Sequence, residues 1–448
     1  MDITRRNFLL GSAALVGSLS FYACGHKSHN DGTSIEAALA YSSDDLSPIA
    51  NTSALGIVSN WYVYEGLYNL DYRDNKIYNG IAAMNPVKID DTHYEVTLKD
   101  EAKFSDGSLV SVEDIINSFK ANMQAPHFKW MLSPIANVTK KDNKTVVIQT
   151  SYNCQKILPE LLALVNIYSK DNLGTGPWTY KNIGSDKIEF APNAYYYGKF
   201  ETDYKSMVFY INQDDSARTN MLVNYSVAIM ENADYKYANT FDSVKAKIDS
   251  VPSSSAIMVK FNTEDTNLKK AVMYALDEKK IIDDLYYGHG SGATSILPKH
   301  HQYYKMARET YNHDVNASKK LIKDDINISL KIHDGLPSGF KEIVDDSLDE
   351  ADISIDFTDE NPQVEIFCAD VGMYTNLAQS IISYWYGDNN KIISLLKDDK
   401  IDDCINLISE DFTVYPLLFK EHTIAYYPDK LKDYTNINPT GLFFAPRS

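Results

Sequence analysis

The residues able to do chemistry in this chain are varied in type and poor in pattern. Ten histidines are scattered along it, and only His300 and His301 are adjacent. With His289 they are the one set that can be drawn as a metal site. Adjacent side chains rarely face the same ion, and the segment reads as a loop, so no metal is expected. The four cysteines are Cys24, Cys154, Cys368 and Cys404. They contain no Cys-x-x-Cys pair, which leaves zinc and dithiol redox chemistry without a motif. Modification of Cys24 would leave three thiols and room for at most one disulfide. A Cys368–Cys404 bridge is open, but spacing alone does not support it. No Gly-x-Ser-x-Gly, His-Glu-x-x-His or phosphate-loop string occurs. With 61 acidic residues, choosing two as a glycosidase pair would be arbitrary. The 32 tyrosines are material for walls that stack on sugars or peptide side chains, or simply strand formers and half-buried surface. No nucleophile with its base emerges, so the pattern favours binding over turnover.

The elements that must hold such a site are better marked. Ser34 to Tyr41 reads as a first strand. Tyr94 to Lys99 alternates apolar and polar residues, as a half-buried strand does. Asp106-Gly107 marks a turn, because glycine takes positive φ without steric cost. Ser111 stands three residues before Asp114, the spacing of a capping box, and Ile115, Ile116 and Phe119 supply the apolar face of the helix it opens. Thr145 to Thr150 is another strand. Gln155 to Val165 reads as a helix with Pro159 in its first turn, where a missing N–H costs little. Leu268, Ala271, Val272, Ala275 and Leu276 recur at helical spacing. Leu377, Ile381, Ile382 and Trp385 suggest one more helix, and Ile401, Cys404, Ile405 and Ile408 another. Mixed strands and helices over 448 residues predict an α/β protein of two or three domains with a large core.

Several of these stretches resemble a known family. The run from Phe104-Ser105-Asp106-Gly107 through Ser111 and Glu113-Asp114-Ile115 to Ser118-Phe119 resembles the signature of family 5 solute-binding proteins. These are the peptide- and nickel-binding receptors that feed ABC importers. Leu109-Val110 stands where that family often has a proline. Tyr64-Glu65-Gly66-Leu67, Gly174-Thr175-Gly176-Pro177, and Asn193 with Tyr196-Tyr197-Gly198 are similar to further family blocks. So are Phe261-Asn262-Thr263, Lys270-Ala271 through Leu276-Asp277, Cys368-Ala369-Asp370 and Tyr415-Pro416-Leu417. Asn224 to Ile229 departs from the family's usual Gly-Glu, and Val371 to Tyr374 lacks its acidic-proline pattern.

The resemblance implies a two-lobed, periplasmic-binding-protein-like α/β fold of the cluster C type, with an extra subdomain on the first lobe. On that basis 34–65, 171–257 and 423–448 form the first lobe, 66–170 the subdomain and 258–422 the second lobe. The implied ligand is a short peptide held in a hinged cleft, and the implied partners are an ABC permease and its ATPase. In oligopeptide binders the Asp of Cys-Ala-Asp pairs with the peptide α-amino group, which would be Asp370; its alternative is a helix-capping carboxylate. The expected ligand-binding set is Asp370, Cys368, Ala369, Glu65, Tyr64 and Trp385. Glu65 reads equally as a capping or salt-bridged carboxylate. No cofactor is implied. A receptor for a nickel chelate, haem or oligosaccharide is the alternative, and an exported hydrolase a more distant one.

Composition agrees with a soluble binding protein: 44% hydrophobic, 23% charged and a formal net charge of -18. That charge argues against nucleic acid, whose phosphates want a basic face. The N-terminus is an address. Thr4-Arg5-Arg6-Asn7-Phe8-Leu9-Leu10 fits a twin-arginine export pattern. The apolar run to about Phe21 is shorter than the roughly 20 residues of a membrane span. Ala23-Cys24-Gly25 resembles a lipobox, with Phe21 and Tyr22 departing from it. Residues 1–23 are therefore expected to be a signal peptide, Cys24 a lipidation site anchoring the protein to a membrane outside the cytoplasm, and 24–33 a tether; the alternative is ordinary cleavage, which leaves the protein periplasmic or secreted.

Overall fold

In the computed structural model, residues 33–431 are described, apart from 41–45, 50–53, 72–75, 127, 200–202, 323–324 and 372–376. The expected export segment, Cys24 and nearly all of the tether lie outside the described residues. Among the described residues no helix is long and apolar enough to cross a membrane.

One mixed sheet of eleven strands runs through most of the chain. At one end, Ile326–Ile332 lies parallel to both Ile353–Phe357 and Val364–Asp370. At the other, Ser34–Leu39 lies parallel to both Ser206–Ile211 and Ile229–Glu231, and Lys187–Pro192 and Trp178–Ile183 extend the edge. Two long antiparallel strands join the halves: Lys247–Phe261, of 15 residues, and Val414–Tyr426, of 13. Both far exceed the usual strand of about 5–6 residues, because each serves two lobes in turn. Their register runs from Lys247 opposite Tyr426 to Pro252 opposite Glu421, breaks, and resumes with Ala256 opposite Phe419. Pro252 has no N–H to give a ladder, and the break over Ser253–Ser255 locally weakens the tie between lobes. A second irregularity lies where Pro416 meets Met258, again at a residue without a donor.

The sequence marks only part of these strands. Ile257 onward is apolar and readable, but Lys247 to Ser255 is rich in serine, with Lys247 and Asp249 among it, because it crosses between lobes instead of lying in one core. The Gln155–Val165 helix is also shorter than expected, spanning Leu158–Ala163.

The lobes have separate cores. Ser34–Leu39 shows why the first sheet is covered on both faces: Ile35, Ala37 and Leu39 enter one apolar cluster, while Ala38 enters another. Successive side chains on a strand point to opposite sides. The second lobe packs Ala271, Val272, Val344 and Leu348 against Ile257, Val259 and Ile366. The subdomain has its own four-stranded sheet, in the order Val87–Lys88, His93–Thr97, Thr145–Thr150, Ile135–Lys140. Helix Val112–Gln124 covers it. Its predicted start is present: Ser111 and Asp114 form the reciprocal capping box.

The subdomain also meets the second lobe. Leu377 is buried in the subdomain's core. The Ser380 hydroxyl donates to the Met131 carbonyl at 3.3 Å, and Gly387 lies so close to Trp130 that a Cβ would stand 2.5 Å from the indole. Helix Ala378–Tyr386 thus packs directly against the subdomain.

Candidate functional site: the cleft between the lobes

Two of the expected ligand residues, Tyr64 and Glu65, lie at the junction of the first lobe and the subdomain. They follow helix Ala54–Val63. Glu65 is buried, and its two oxygens are fully engaged. Asn69 Nδ2 donates to Oε1 at 3.2 Å, Thr175 Oγ1 to Oε2 at 3.1 Å, and Tyr197 OH to Oε2 at 2.6 Å. Tyr196 OH adds a longer bond of 3.4 Å. The Glu65 main chain bridges Ile167. The Tyr64 hydroxyl donates to the Asn172 carbonyl at 2.9 Å, and burial pushes its pKa well up, so it stays a neutral donor.

The family-like strings meet at this junction. Ser105 N–H donates to the Gly174 carbonyl at 3.0 Å. Gly107, at φ +88°, lies under the ring of Tyr195. Asn193 Nδ2 donates to the Gly176 carbonyl at 2.8 Å. Three blocks far apart in sequence are therefore one packed crossing.

Cys368, Ala369 and Asp370 end strand Val364–Asp370, opposite Ile257, Ala256 and Ser255. Alternation divides them. Ala369 packs against the second lobe's core. Cys368 is exposed, with Sγ 3.7 Å from Ser255 Oγ, and the Cys368–Cys404 bridge is not made: both thiols are free. Cys154 and Cys404 are buried, and burial pushes each thiol up to about 12. Trp385 lies against Phe367, ring centroids 6.4 Å apart, and its indole N–H is buried without a hydrogen-bond partner. The expected six residues are thus divided between the junction, the second lobe's packing and the cleft edge.

A cleft of about 480 Å³ opens between the lobes. The first lobe supplies Asp215 and Asn232–Lys236, which follow the C-terminal ends of Ser206–Ile211 and Ile229–Glu231. The second supplies Gly335–Ser338, which follow Ile326–Ile332, and the Leu285–His289 segment. Lys420, Glu421 and Thr423 of the second joining strand form the floor. Parallel strands of α/β sheets leave ligand crevices beyond their carboxyl ends, and both lobes here turn that edge to one gap.

The chemistry of this floor escaped the sequence motifs. Lys420 ends the apolar run Tyr415–Phe419, and a single lysine there was its only trace. Its ammonium lies in the field of Cys368, Tyr286 and Asp370. Burial alone would lower its pKa, but those three acidic partners hold it above the ordinary value. Across the cleft, the Tyr235 ring of the first lobe stacks on His289 of the second, centroids 3.6 Å apart and planes within 6°. His289 Nδ1 lies 2.8 Å from Glu421 Oε2, which also accepts from Ser250 Oγ at 2.5 Å. His300 instead faces Ser254 at 3.4 Å, and burial lowers its pKa. His301 Nδ1 accepts from the Tyr303 N–H. The three histidines serve different partners, and no group of His, Cys, Asp or Glu among the described residues is arranged to hold a metal.

Residues 76–327 match the family model "Bacterial extracellular solute-binding proteins, family 5 Middle". The chain belongs to this family. The nickel-binding protein NikA of Staphylococcus aureus is 24% identical over 290 residues, 59% of this chain and 58% of the relative. The chain therefore aligns with little more than half the length of that curated relative. Solved structures of periplasmic binding proteins extend the likeness to the whole fold. AgaA from A. tumefaciens R10, in complex with agropinic acid, superposes with a TM-score of 0.77 at 18% identity, covering 90% of this chain and 95% of that one. DppA from Helicobacter pylori, in complex with peptide STSA, gives 0.76 at 16% identity, covering 91% and 96%. This chain thus has the two-lobed α/β fold of a solute-binding receptor.

Proposed function

We propose that this family 5 protein is the extracytoplasmic receptor of an ABC importer, capturing short peptides between its lobes and delivering them unchanged to a membrane permease driven by its ATPase. The observation that carries the reading is the pair of strands crossing between the lobes, broken in register at Ser253–Ser255 above a cleft bordered by the strand ends of both lobes. A ligand touching both lobes stabilises the closed arrangement by contacts the open one lacks, which is how hinged binding proteins work. Asp370, at the end of its strand near the cleft, suits a ligand ammonium; charge-assisted bonds of this kind contribute about 1.5–3 kcal/mol. Exposed strand-end backbone suits peptide main chain. Cys24 acylation would hold the receptor at the membrane. Glu65 and Tyr64 belong to the scaffold in this reading, because their polar atoms already have partners within the protein.

Native mass spectrometry of the protein purified without denaturation tests the proposal. Release of mixed short peptides is expected. Recovery of a nickel chelate, haem or oligosaccharide instead, or chemical conversion of the captured solute, would overturn it.

A further inference from the structure

Each carboxylate lining the cleft has a hydrogen-bonding or ion-pair partner. Asp215 is bound by Arg218 at 3.0 Å and Lys236 at 2.9 Å. Asp234 holds Lys236 at 2.7 Å. Glu421 pairs with His289 at 2.8 Å. Lys420 alone among the described charged residues lining this cleft has no carboxylate partner within ion-pair distance. It is half-buried, and its ammonium stands 5.9 Å from the centre of the Tyr286 ring. A partly desolvated cation facing a cavity, with no carboxylate in contact, leaves a place for an anion of the ligand.

We infer that Lys420 is the anion anchor of the cleft and takes a carboxylate of the ligand. The inference rests on the peptide reading above and narrows it: the peptide binds with its free C-terminal carboxylate on Lys420. One ammonium in an acidic protein suits a monoanion. Asp370, close enough to act on Lys420 without closing an ion pair, would repel a dianionic phosphate. The same neighbourhood offers opposite charges to opposite ends of a compact zwitterion. A volume of about 480 Å³ is within the range of small-ligand sites. Tyr286 and the stacked Tyr235–His289 pair supply flat walls beside the charge.

The test uses a defined mixture of two- to five-residue peptides, each as free acid and as C-terminal amide, offered to the full protein and quantified by mass spectrometry after removal of unbound peptide. Wild type is expected to retain the acids at least tenfold over the amides. Lys420→Gln should abolish that preference while leaving amide binding in place, and Lys420→Arg should restore it. Circular dichroism and thermal unfolding of both variants establish that they are folded. Equal retention of acids and amides by wild type, or an undiminished preference in Lys420→Gln, overturns the inference while leaving peptide binding intact. Retention of neither form overturns the peptide reading itself. In that case the solute co-purifying with wild type decides the anchor: one carrying a carboxylate, and lost from Lys420→Gln, upholds it, and one without an anionic group rejects it.

Discussion

Two buried or half-buried glutamates show how differently a carboxylate can be used. Glu65 is satisfied by neutral hydroxyl and amide donors from the lobe and the subdomain, so its value is to hold a crossing in place. Glu365 is satisfied by a lysine, an amide and an imidazole. Lys260 Nζ approaches Oε1 at 2.7 Å, Asn262 Nδ2 the same oxygen at 2.9 Å, and His333 Nε2 approaches Oε2 at 2.9 Å. Burial pushes its carboxyl up, but these partners outweigh it and hold the pKa at about 2, below the ordinary 4.5. A depressed folded pKa contributes stability that is present above the unfolded value and lost as pH falls towards the folded one. Glu365→Gln should therefore cost on the order of 2 kcal/mol at pH 7. The gap from wild type should narrow between pH 4.5 and pH 2. Urea unfolding at pH 7 and pH 3 checks this; a gap independent of pH would mean that the ion cluster contributes nothing.

At the scale of elements, glycines decide how closely the lobe and the subdomain approach. A Cβ on Gly174 would stand 2.0 Å from the Val63 carbonyl oxygen and 2.8 Å from Tyr64. A Cβ on Gly176 would stand 2.4 Å from the Tyr62 carbonyl. The two carbonyl obstacles are backbone at the end of helix Ala54–Val63, which cannot swing aside. Gly174→Ala should destabilise the protein by about 3 kcal/mol or more, the upper range for overpacking, measured as a lowered urea midpoint. A midpoint unchanged from wild type would show that the crossing yields. The sequence made this crossing legible as motif but not as geometry. Gly-Thr-Gly-Pro announces a tight turn, whereas the helix end that it touches is more than a hundred residues earlier. Local signals are legible because they are local: Ser111 and Asp114 cap their helix across a span of only three residues, and Thr145–Thr150 is set along its own strand. The polar half of Lys247–Phe261 carried no such signal, because its neighbours are a second strand and solvent, not a core.

For the whole molecule, the Tyr235–His289 stack matters most, since its rings come from opposite lobes. Glu421 and Ser250, on the two joining strands, orient the imidazole. An aromatic pair contributes about 0.5–1.5 kcal/mol beyond its buried area. Tyr235→Ala should then shift the ligand-free protein towards the open form, seen as a larger radius of gyration in small-angle scattering. It should also weaken ligand binding by about 2- to 10-fold. An unchanged radius of gyration would mean that the stack does not hold the lobes together.

The order of the family-like blocks along the chain was enough to determine the mixed α/β class, the two-lobed plan and the family, because each block is set by contacts within a few residues or by turns that only certain residues tolerate. Which side chains share the cleft was decided only by tertiary structure. Lys420, the pair Tyr286 and His289, and Tyr235 come from three separate segments, and no spacing in the sequence relates those segments. They meet because two long strands carry the lobes face to face, and the same packing draws Glu65 and Tyr64 into the scaffold, where their polar atoms are satisfied by the protein itself.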